Sequence, residues 1–182
     1  MITKIKATIE DLYNVPEHGK AEIIDGELVP FMPTGGIPSR ASSRIWRSLD
    51  DYESVHGGGL AVADNAGFIV NLPHRGSFSP DAAWYIGNLS MRFFIGAPVF
   101  AAEVRSENDY GEKAEQEIAA KRRDYFAAGT LVVWDVDLLD EEVIKSYRVD
   151  DPENPHIFRR GEVANAEPAV PGWTMPVDEL FR

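Results

Sequence analysis

The chain has 182 residues, with 18 Lys and Arg against 30 Asp and Glu, so its formal net charge is −12. Such an acidic excess argues against an obvious nucleic-acid binder, because basic side chains that neutralise phosphates supply most of the non-specific affinity. The absence of cysteine excludes disulfides, thiolate metal sites and a cysteine nucleophile. The length favours a single domain over residues 1–182.

The hydropathy pattern contains no signal for export or for a membrane. The amino terminus has lysines, but the apolar run that a signal peptide requires does not follow them. The longest charge-free stretch, residues 28–39, contains three prolines and is shorter than the roughly 20 apolar residues of a membrane helix. We therefore expect a cytoplasmic protein without a membrane partner.

Short strand patterns and two longer helical patterns follow one another along the chain. Thr8 can cap a short helix that runs through Tyr13, and apolar spacing predicts helices from 39 to about 55 and from 111 to 128. The turn Asp25-Gly26 favours a hairpin of two strands. The predicted strand regions are 21–32, 60–72, 81–86, 98–104, 131–134 and 143–149. This order is typical of an α/β (α+β) domain with a mixed central sheet flanked by helices.

The carboxyl-terminal segment, residues 151–182, differs from the rest in composition. It contains five of the 12 prolines, so we expect little regular structure there. Trp173, Met175 and Leu180 are nevertheless too apolar for a free tail. The segment is therefore expected to dock on the body of the domain.

The candidate chemistry lies in a set of acids. No P-loop, dinucleotide-binding, nucleophile-elbow or zinc-protease motif occurs, and the four histidines are scattered. Asp81 heads one predicted strand, and Glu103 lies near the end of a buried one, where a carboxylate needs a cation or hydrogen-bond donors. Lys121 can supply the cation, since helical spacing places it on the face of the second long helix that should pack on the sheet.

Residue spacing leaves two interpretations of these acids open. In one, Glu103 forms a structural ion pair with Lys121 or Arg105, and Asp81 is only a turn residue. In the other, the same groups form an active site. Spacing alone favours the structural ion pair, because such pairs are common and active sites occupy few positions.

A second basic feature lies in the first long helix. Arg40, Arg44 and Arg47 follow one another at helical spacing within the acid-free stretch 28–49. They could form a stripe that contacts phosphates, or an ordinary solvated helix face. The sequence favours neither interpretation over the other.

Several short motifs occur in a fixed order along nearly the whole chain. They are EIIDGEL at 22–28, SPD at 79–81, AEVRS at 102–106, KxxxYxxxG at 121–129, VWDVD at 133–137, and PGW through LF at 171–181. Each motif alone is weak, but the ordered set resembles the Uma-two family of restriction-endonuclease-like proteins, within the PD-(D/E)xK nuclease superfamily.

The resemblance implies a restriction-endonuclease-like fold, with the acids at one edge of a mixed sheet. It also implies a Mg²⁺- or Mn²⁺-dependent endonuclease that hydrolyses phosphodiester bonds of DNA with a metal-activated water. By motif position, Asp81 and Glu103 would bind the metal, Glu22 would be a further acid, and Lys121 would be the catalytic lysine.

The sequence departs from the family pattern at three places. Arg105 stands two residues after Glu103, where a guanidinium stays protonated and cannot serve as a general base. We instead group Arg105 with the arginine stripe as a nucleic-acid contact. Glu107 replaces a frequent proline, and Pro38-Ser39 stands where family members often have a histidine. The missing histidine puts substrate contact in question, whereas the carboxylates and Lys121 are intact.

Other functions remain open beside the nuclease. One alternative is a catalytically inactive interaction module with the nuclease fold. Another is a hydrolase of a small phosphodiester, which suits the acidic net charge better than long DNA does. Any binding of DNA is expected to be weak and sensitive to salt. A homodimer is compatible with the apolar strands and the Trp-bearing tail.

Overall fold

The structure is a computed structural model that describes residues 6–15 and 19–182; His18 therefore lies outside the described residues. The helices are α1 (Ile9–Tyr13), α2 (Gly36–His56) and α3 (Glu112–Ala127), with a closing 3₁₀ helix at Val177–Phe181. The strands are β1 (Ala21–Ile24), β2 (Glu27–Pro30), β3 (Leu60–Ala63), β4 (Phe68–Ile69), β5 (Ser77–Phe78), β6 (Ala82–Tyr85), β7 (Phe94–Ile95), β8 (Phe100–Val104), β9 (Val132–Asp137), β10 (Val143–Arg148), β11 (Asp151–Arg159), β12 (Val163–Asn165) and β13 (Thr174–Pro176).

A six-stranded sheet with the order β11-β10-β9-β8-β6-β3 forms the centre of the fold. Strands β8 and β9 run parallel, and the other neighbours are antiparallel. The predicted mixed sheet flanked by helices is therefore confirmed. Three smaller sheets surround it: the hairpin β1-β2, the pair β12-β13, and β5-β4-β7.

Alternation along the central strands separates two apolar layers, one on each face of the sheet. On one face, α2 packs through Ala41, Ile45 and Leu49 against residues such as Phe100. On the other face, Tyr125 of α3 packs in a second layer. The site described below lies on the α3 face.

The hairpin β1-β2 forms as the sequence predicts. Asp25 and Gly26 have φ angles of 51° and 76°, the left-handed values that a two-residue type I′ turn requires. Glycine adopts this conformation without steric cost, and aspartate tolerates it. The turn fixes the register, so Glu22 faces Val29 across the hairpin.

Several predicted boundaries are shifted in the structure; β9, for example, runs to Asp137 and not to 134. Helix α2 begins at Gly36 and not at 39, because a proline such as Pro38 is tolerated in a first turn, where its missing N–H would be unpaired anyway. The predicted strand over 60–72 is divided into β3 and β4, since the chain turns at Asn65, whose φ is 68°.

The expectation of little regular structure in residues 151–182 is wrong. Strand β11 is nine residues long and contains Pro152 and Pro155. It is an edge strand, where a proline can face away from its only neighbour without breaking a ladder hydrogen bond. The segment also packs on the body, as Trp173 and Leu180 belong to the same core as α2. Because Trp173 is buried in its own chain, it gives no exposed face for the predicted homodimer.

Within the described residues, no helix is both long and apolar enough to cross a membrane.

Candidate active site

Three acids lie side by side on the α3 face of the central sheet. Ala82 and Ala102 are register partners in β6 and β8, and Asp81 and Glu103 are their chain neighbours, so the two acids lie close together at the same end of this strand pair. Glu103 is in turn the register partner of Asp135 in the parallel neighbour β9. Like charges directly opposite on adjacent strands are destabilising. The row therefore requires cations.

A different cation compensates each acid of this row. Lys20 Nζ lies 3.3 Å from Oδ1 of Asp81, and Lys121 Nζ lies 2.9 Å from Glu103. The side chains of both lysines are 19% exposed. The third acid, Asp135, has a different kind of partner, which is described below with Arg105. The two pairs that involve lysine are thus the ones within reach of solvent.

Glu103 lies at the centre of the site. Its Oε2 accepts a hydrogen bond from Lys121 Nζ at 2.9 Å, and its Oε1 accepts one from the Tyr125 hydroxyl at 2.5 Å. Burial raises the pKa of Glu103; Lys121 opposes this rise, and the negative charges of Asp81 and Glu22 add to it. Glu103 is therefore a carboxylate that gains strongly from added positive charge.

Lys121 and Tyr125 have protonation states that follow from the same charges. Burial opposes the charged form of Lys121, but the attraction of Glu103 and Glu22 outweighs burial and raises the pKa of this lysine. Burial and the neighbouring Glu103 raise the pKa of the Tyr125 phenol well above its ordinary value. At neutral pH the lysine is a cation and the phenol is a neutral donor.

Glu22 is fully buried behind this pair. Its Oε1 accepts the backbone N–H of Ser79 at 2.9 Å and lies 3.1 Å from Lys121 Nζ. Its Oε2 accepts a hydrogen bond from Arg75 at 2.5 Å. The structure thus brings together Glu22, Lys121 and Glu103, as the sequence motifs imply, and gives Lys121 two carboxylate partners.

A chain of charged groups continues from Glu22 to the surface. Arg75 Nε donates to Oδ2 of Asp124 at 2.7 Å, and Oδ1 of Asp124 lies 2.6 Å from Nε2 of His74. The Arg75 side chain is 6% exposed, whereas the His74 side chain is 52% exposed. Arg75 therefore fixes Oε2 of Glu22, on the opposite side of the carboxylate from Lys121.

Asp81 is positioned by the backbone of the neighbouring strand. Its Oδ2 accepts the N–H of Val104 at 2.7 Å, and its own N–H donates to the Ala102 carbonyl at 3.1 Å. Lys20, which contacts the other oxygen of Asp81, also donates to Asp64 at 2.6 Å. Desolvation lowers the pKa of Lys20, but the negative charges of Asp81 and Asp64 outweigh it and raise this pKa.

The structure does not bring Arg105 to a surface that could contact nucleic acid. Its side chain is 3% exposed and donates to both oxygens of Asp135, at 2.6 and 2.7 Å. It also pairs with Glu115 in the first turn of α3. The departure from the family pattern at Arg105 is therefore explained by structure: this guanidinium neutralises the third acid of the row and ties α3 to the sheet.

The stripe of Arg40, Arg44 and Arg47 lies on α2, which covers the face of the sheet opposite to Glu103. Arg40 donates to the carbonyl oxygen of Arg182 at 3.0 Å, and Arg44 lies 3.6 Å from Glu179. Two of the three arginines thus contact the end of the chain, and Arg47 is exposed. Their role as phosphate contacts stays a prediction.

Two cations at the site were not identified from the sequence. Lys20 had a usable signal, since it precedes Glu22 by two residues and strand alternation places both on one side of the hairpin. Arg75 had none, because it lies in a loop and its partners Glu22 and Asp124 are 53 and 49 residues away along the chain.

The donor set suits a hard cation that keeps most of its water. In the described part of the chain, no group of three or more His, Asp or Glu side chains could hold a metal. Asp81 and Glu103 nevertheless offer two carboxylates on adjacent strands, and Mg²⁺ is usually bound through one or two carboxylates plus waters. Carboxylates outnumber cations around the site, with Glu22, Asp64 and Asp124 also present. The residues therefore fit Mg²⁺ better than a dehydrated ion.

Comparisons with known proteins give the fold and the family of this chain. A solved structure described as "Crystal structure of a putative nuclease belonging to DUF820 from Anabaena variabilis ATCC 29413" is similar with a TM-score of 0.74 and 17% identity. The similarity covers 96% of this chain and 97% of that chain, and it shows that the two proteins share one fold. No curated protein matches the sequence.

The family follows from the sequence comparison. The family Uma2, described as "Putative restriction endonuclease", matches residues 7–178. The chain therefore belongs to the Uma2 family, and the resemblance seen in its ordered motifs is confirmed.

Proposed function

We propose that this protein is a metal-dependent nuclease that hydrolyses phosphodiester bonds at Asp81 and Glu103. The observation that carries the proposal is the proximity of these two acids at one end of the β6-β8 strand pair, with the charged Lys121 bound to Glu103. The family description and the similar nuclease structure support the same class of activity.

Asp81 and Glu103 would hold the metal, Mg²⁺ or Mn²⁺. When bound, the ion would lower the pKa of a coordinated water and neutralise charge that develops on the phosphate. Asp81 has one oxygen fixed by the Val104 N–H, so its other oxygen faces outward in a defined direction. Lys20 holds that oxygen only at 3.3 Å and can retreat to Asp64, which it contacts at 2.6 Å.

Lys121 would act as a cation and not as a base. Its pKa is raised by Glu103 and Glu22 despite burial, so at neutral pH it has no lone pair to accept a proton. A fixed ammonium beside the reacting phosphate would stabilise the additional negative charge of the transition state. The proton of the attacking water would pass to a carboxylate or to solvent, and the departing oxygen would leave with the cleaved strand.

The proposed substrate is a nucleic acid, with DNA as the first candidate. The net charge of −12 opposes binding of a long polyanion, so affinity should depend on metal and fall steeply with salt. A cleavage assay on plasmid DNA, single-stranded DNA and RNA with Mg²⁺, Mn²⁺ or EDTA tests the proposal. Cleavage is expected only with metal, and Glu103→Gln should lower it by about 100-fold.

Glu117→Gln is the matched control, because it makes the same chemical change at an exposed position of α3. This variant should cleave at the wild-type rate. Cleavage that persists in EDTA, or that survives Glu103→Gln, would exclude this site as the source of the activity.

A non-catalytic interaction module remains the second candidate. It is favoured by one observation: in the described ranges, every buried side-chain nitrogen and oxygen has a hydrogen-bond partner without any ligand. Calorimetric titration with Mn²⁺ separates the two candidates. Heat of binding that disappears in Asp81→Asn supports the nuclease, whereas no uptake by the wild type supports the module. Adding a dinucleotide to the substrate panel tests the small-phosphodiester alternative.

A further inference from the structure

An aromatic ring lies at the mouth of the site, between its two lysines. The Nζ atoms of Lys20 and Lys121 are 6.0 and 5.7 Å from the centre of the Phe31 ring. These are the lysines that contact Asp81 and Glu103. Phe31 therefore adjoins both Lys20 and Lys121, the second of which is the cation proposed to lie beside the reacting phosphate.

The hairpin explains why Phe31 occupies this position. The N–H of Phe31 donates to the carbonyl of Lys20 at 2.9 Å, which extends the β1-β2 pairing by one residue beyond Ala21 and Pro30. Directly opposed residues project to the same face of an antiparallel pair, and so do residues two apart on one strand. Lys20, Phe31 and the buried Glu22 therefore share one face of the hairpin.

Phe31 remains accessible although it is a large apolar residue. It is 39% exposed, and the next residue, Met32, is 86% exposed. The Phe31 ring therefore offers a partly open apolar face beside two ammonium groups, on which a flat group of a ligand can stack. The ammonium groups of the two lysines can contact an anionic group of a ligand that lies on this ring.

We propose that Phe31 is a stacking platform for an unpaired nucleobase whose adjacent phosphate lies at Lys20 and Lys121. This inference rests on the proposed nuclease function and adds its substrate form: a single strand, a frayed end or a flipped-out nucleotide. A base flanked by phosphates matches a ring flanked by ammonium groups. A base inside a duplex presents only its edge and has no free face to stack on Phe31.

The test uses fluorescein-labelled oligothymidylate at low salt in the Asp81→Asn background, which prevents turnover on the proposed mechanism. Every variant is compared within this background, so the loss of metal-dependent affinity is the same for all of them. Phe31→Leu retains an apolar side chain but removes the ring, and it should weaken binding by about tenfold. Phe31→Trp should restore binding to the wild-type level or above. The control is Leu139→Ala, which removes another exposed apolar side chain and should leave the Kd unchanged.

An abasic oligonucleotide of the same length tests the base itself. The abasic oligonucleotide should bind to the protein that retains Phe31 about as weakly as intact oligothymidylate binds to Phe31→Leu. Phe31→Leu should not weaken the binding of the abasic oligonucleotide any further. Equal binding of the two oligonucleotides to the Phe31 protein would overturn the platform. So would an unchanged Kd in Phe31→Leu.

Failure of the platform is distinguishable from failure of the nuclease proposal. In the first case, the wild type cleaves with metal and binds Mn²⁺, but Phe31→Leu and Phe31→Trp cleave single-stranded DNA alike. In the second case, the wild type neither binds Mn²⁺ nor cleaves any substrate, and the platform proposal is overturned with it. When the platform is correct, Phe31→Leu raises the KM for single-stranded DNA while Mn²⁺ uptake stays as in the wild type.

Discussion

Asp81 accepts the backbone N–H of Val104 through Oδ2 at 2.7 Å, so the acid that precedes β6 is bound to the end of the neighbouring strand β8. The other oxygen of Asp81, Oδ1, lies 3.3 Å from Nζ of Lys20. One oxygen thus has a structural role and the other is available to a cation. A substitution that keeps the first role and removes the second can separate stability from activity.

Asp81→Asn is such a substitution. Its amide oxygen can still accept the Val104 N–H, so the free energy of unfolding should change by no more than about 1 kcal/mol. Metal-dependent cleavage should fall by about 100-fold or more, because the ligand charge is lost. Urea unfolding and the plasmid assay measure the two effects.

The control for this variant is Asp64→Asn, which removes the other carboxylate partner of Lys20. That variant should keep metal-dependent cleavage within a few-fold of the wild type. Equal loss of activity in both variants would show that Asp81 acts only through Lys20.

Glu103 should make stability depend on pH. Burial is the main cause of its raised pKa; Lys121 opposes it, and Asp81 and Glu22 add to it. Between the ordinary and the raised pKa, the folded protein binds more protons than the unfolded chain, so this contribution to stability falls as pH rises. In Glu103→Gln that contribution is absent, and the variant should gain stability relative to the wild type as pH rises through this window.

Urea unfolding of both proteins at several pH values from acidic to neutral measures this difference. Glu117→Gln, an exposed acid on α3, should show no such trend relative to the wild type. Saturating Mg²⁺ should flatten the wild-type trend, because metal binds the deprotonated carboxylates. A difference that stays constant with pH would show that Glu103 titrates as an ordinary acid.

Local signals account for the parts of the fold that the sequence predicted. The turn Asp25-Gly26 requires left-handed backbone, and the apolar positions of α2 repeat at helical spacing, so neither element depends on distant residues. The pairing of Glu103 with Lys121 was also predictable, since strand alternation and helix periodicity place both residues between sheet and helix.

Non-local contacts account for what was missed. The role of Arg75 depends on Glu22 and Asp124, which the fold brings together from distant parts of the chain. Strand β11 was missed because its prolines normally break strands, and only an edge position makes them tolerable. Such positions are fixed by tertiary structure and leave no local pattern.

Arg47 is the cleanest probe of the predicted phosphate stripe. Arg40 and Arg44 contact the end of the chain, whereas Arg47 is exposed and lies outside these contacts, so its removal should not disturb packing. If it contacts a phosphate, Arg47→Ala should reduce the slope of log K against log salt for DNA binding by about 0.9. Arg123→Ala on α3 is the control. An unchanged slope in Arg47→Ala would remove this residue from the interface.

Arg75 should be among the residues most important for stability. It is a cation with a side chain only 6% exposed, between the carboxylates of Glu22 and Asp124. Removing one partner of a buried ion pair leaves uncompensated charge, so Arg75→Met should lower the free energy of unfolding by about 3–5 kcal/mol. Arg75→Lys should lose less stability than Arg75→Met, because it keeps the positive charge. It should still be less stable than the wild type, because lysine lacks the forked guanidinium that reaches both carboxylates.

Two further variants identify the cause of the Arg75 effect. Arg75→Met combined with Glu22→Gln should recover part of the lost stability, since it removes one of the unpaired charges. Arg148→Met removes a surface arginine paired with Asp150 and should cost far less than Arg75→Met. Urea unfolding of the four variants measures these differences. If Arg75→Met lowered the free energy of unfolding as little as Arg148→Met does, stability would not depend on the pairing of Arg75 with Glu22 and Asp124. Lys121 alone would then suffice to neutralise Glu22.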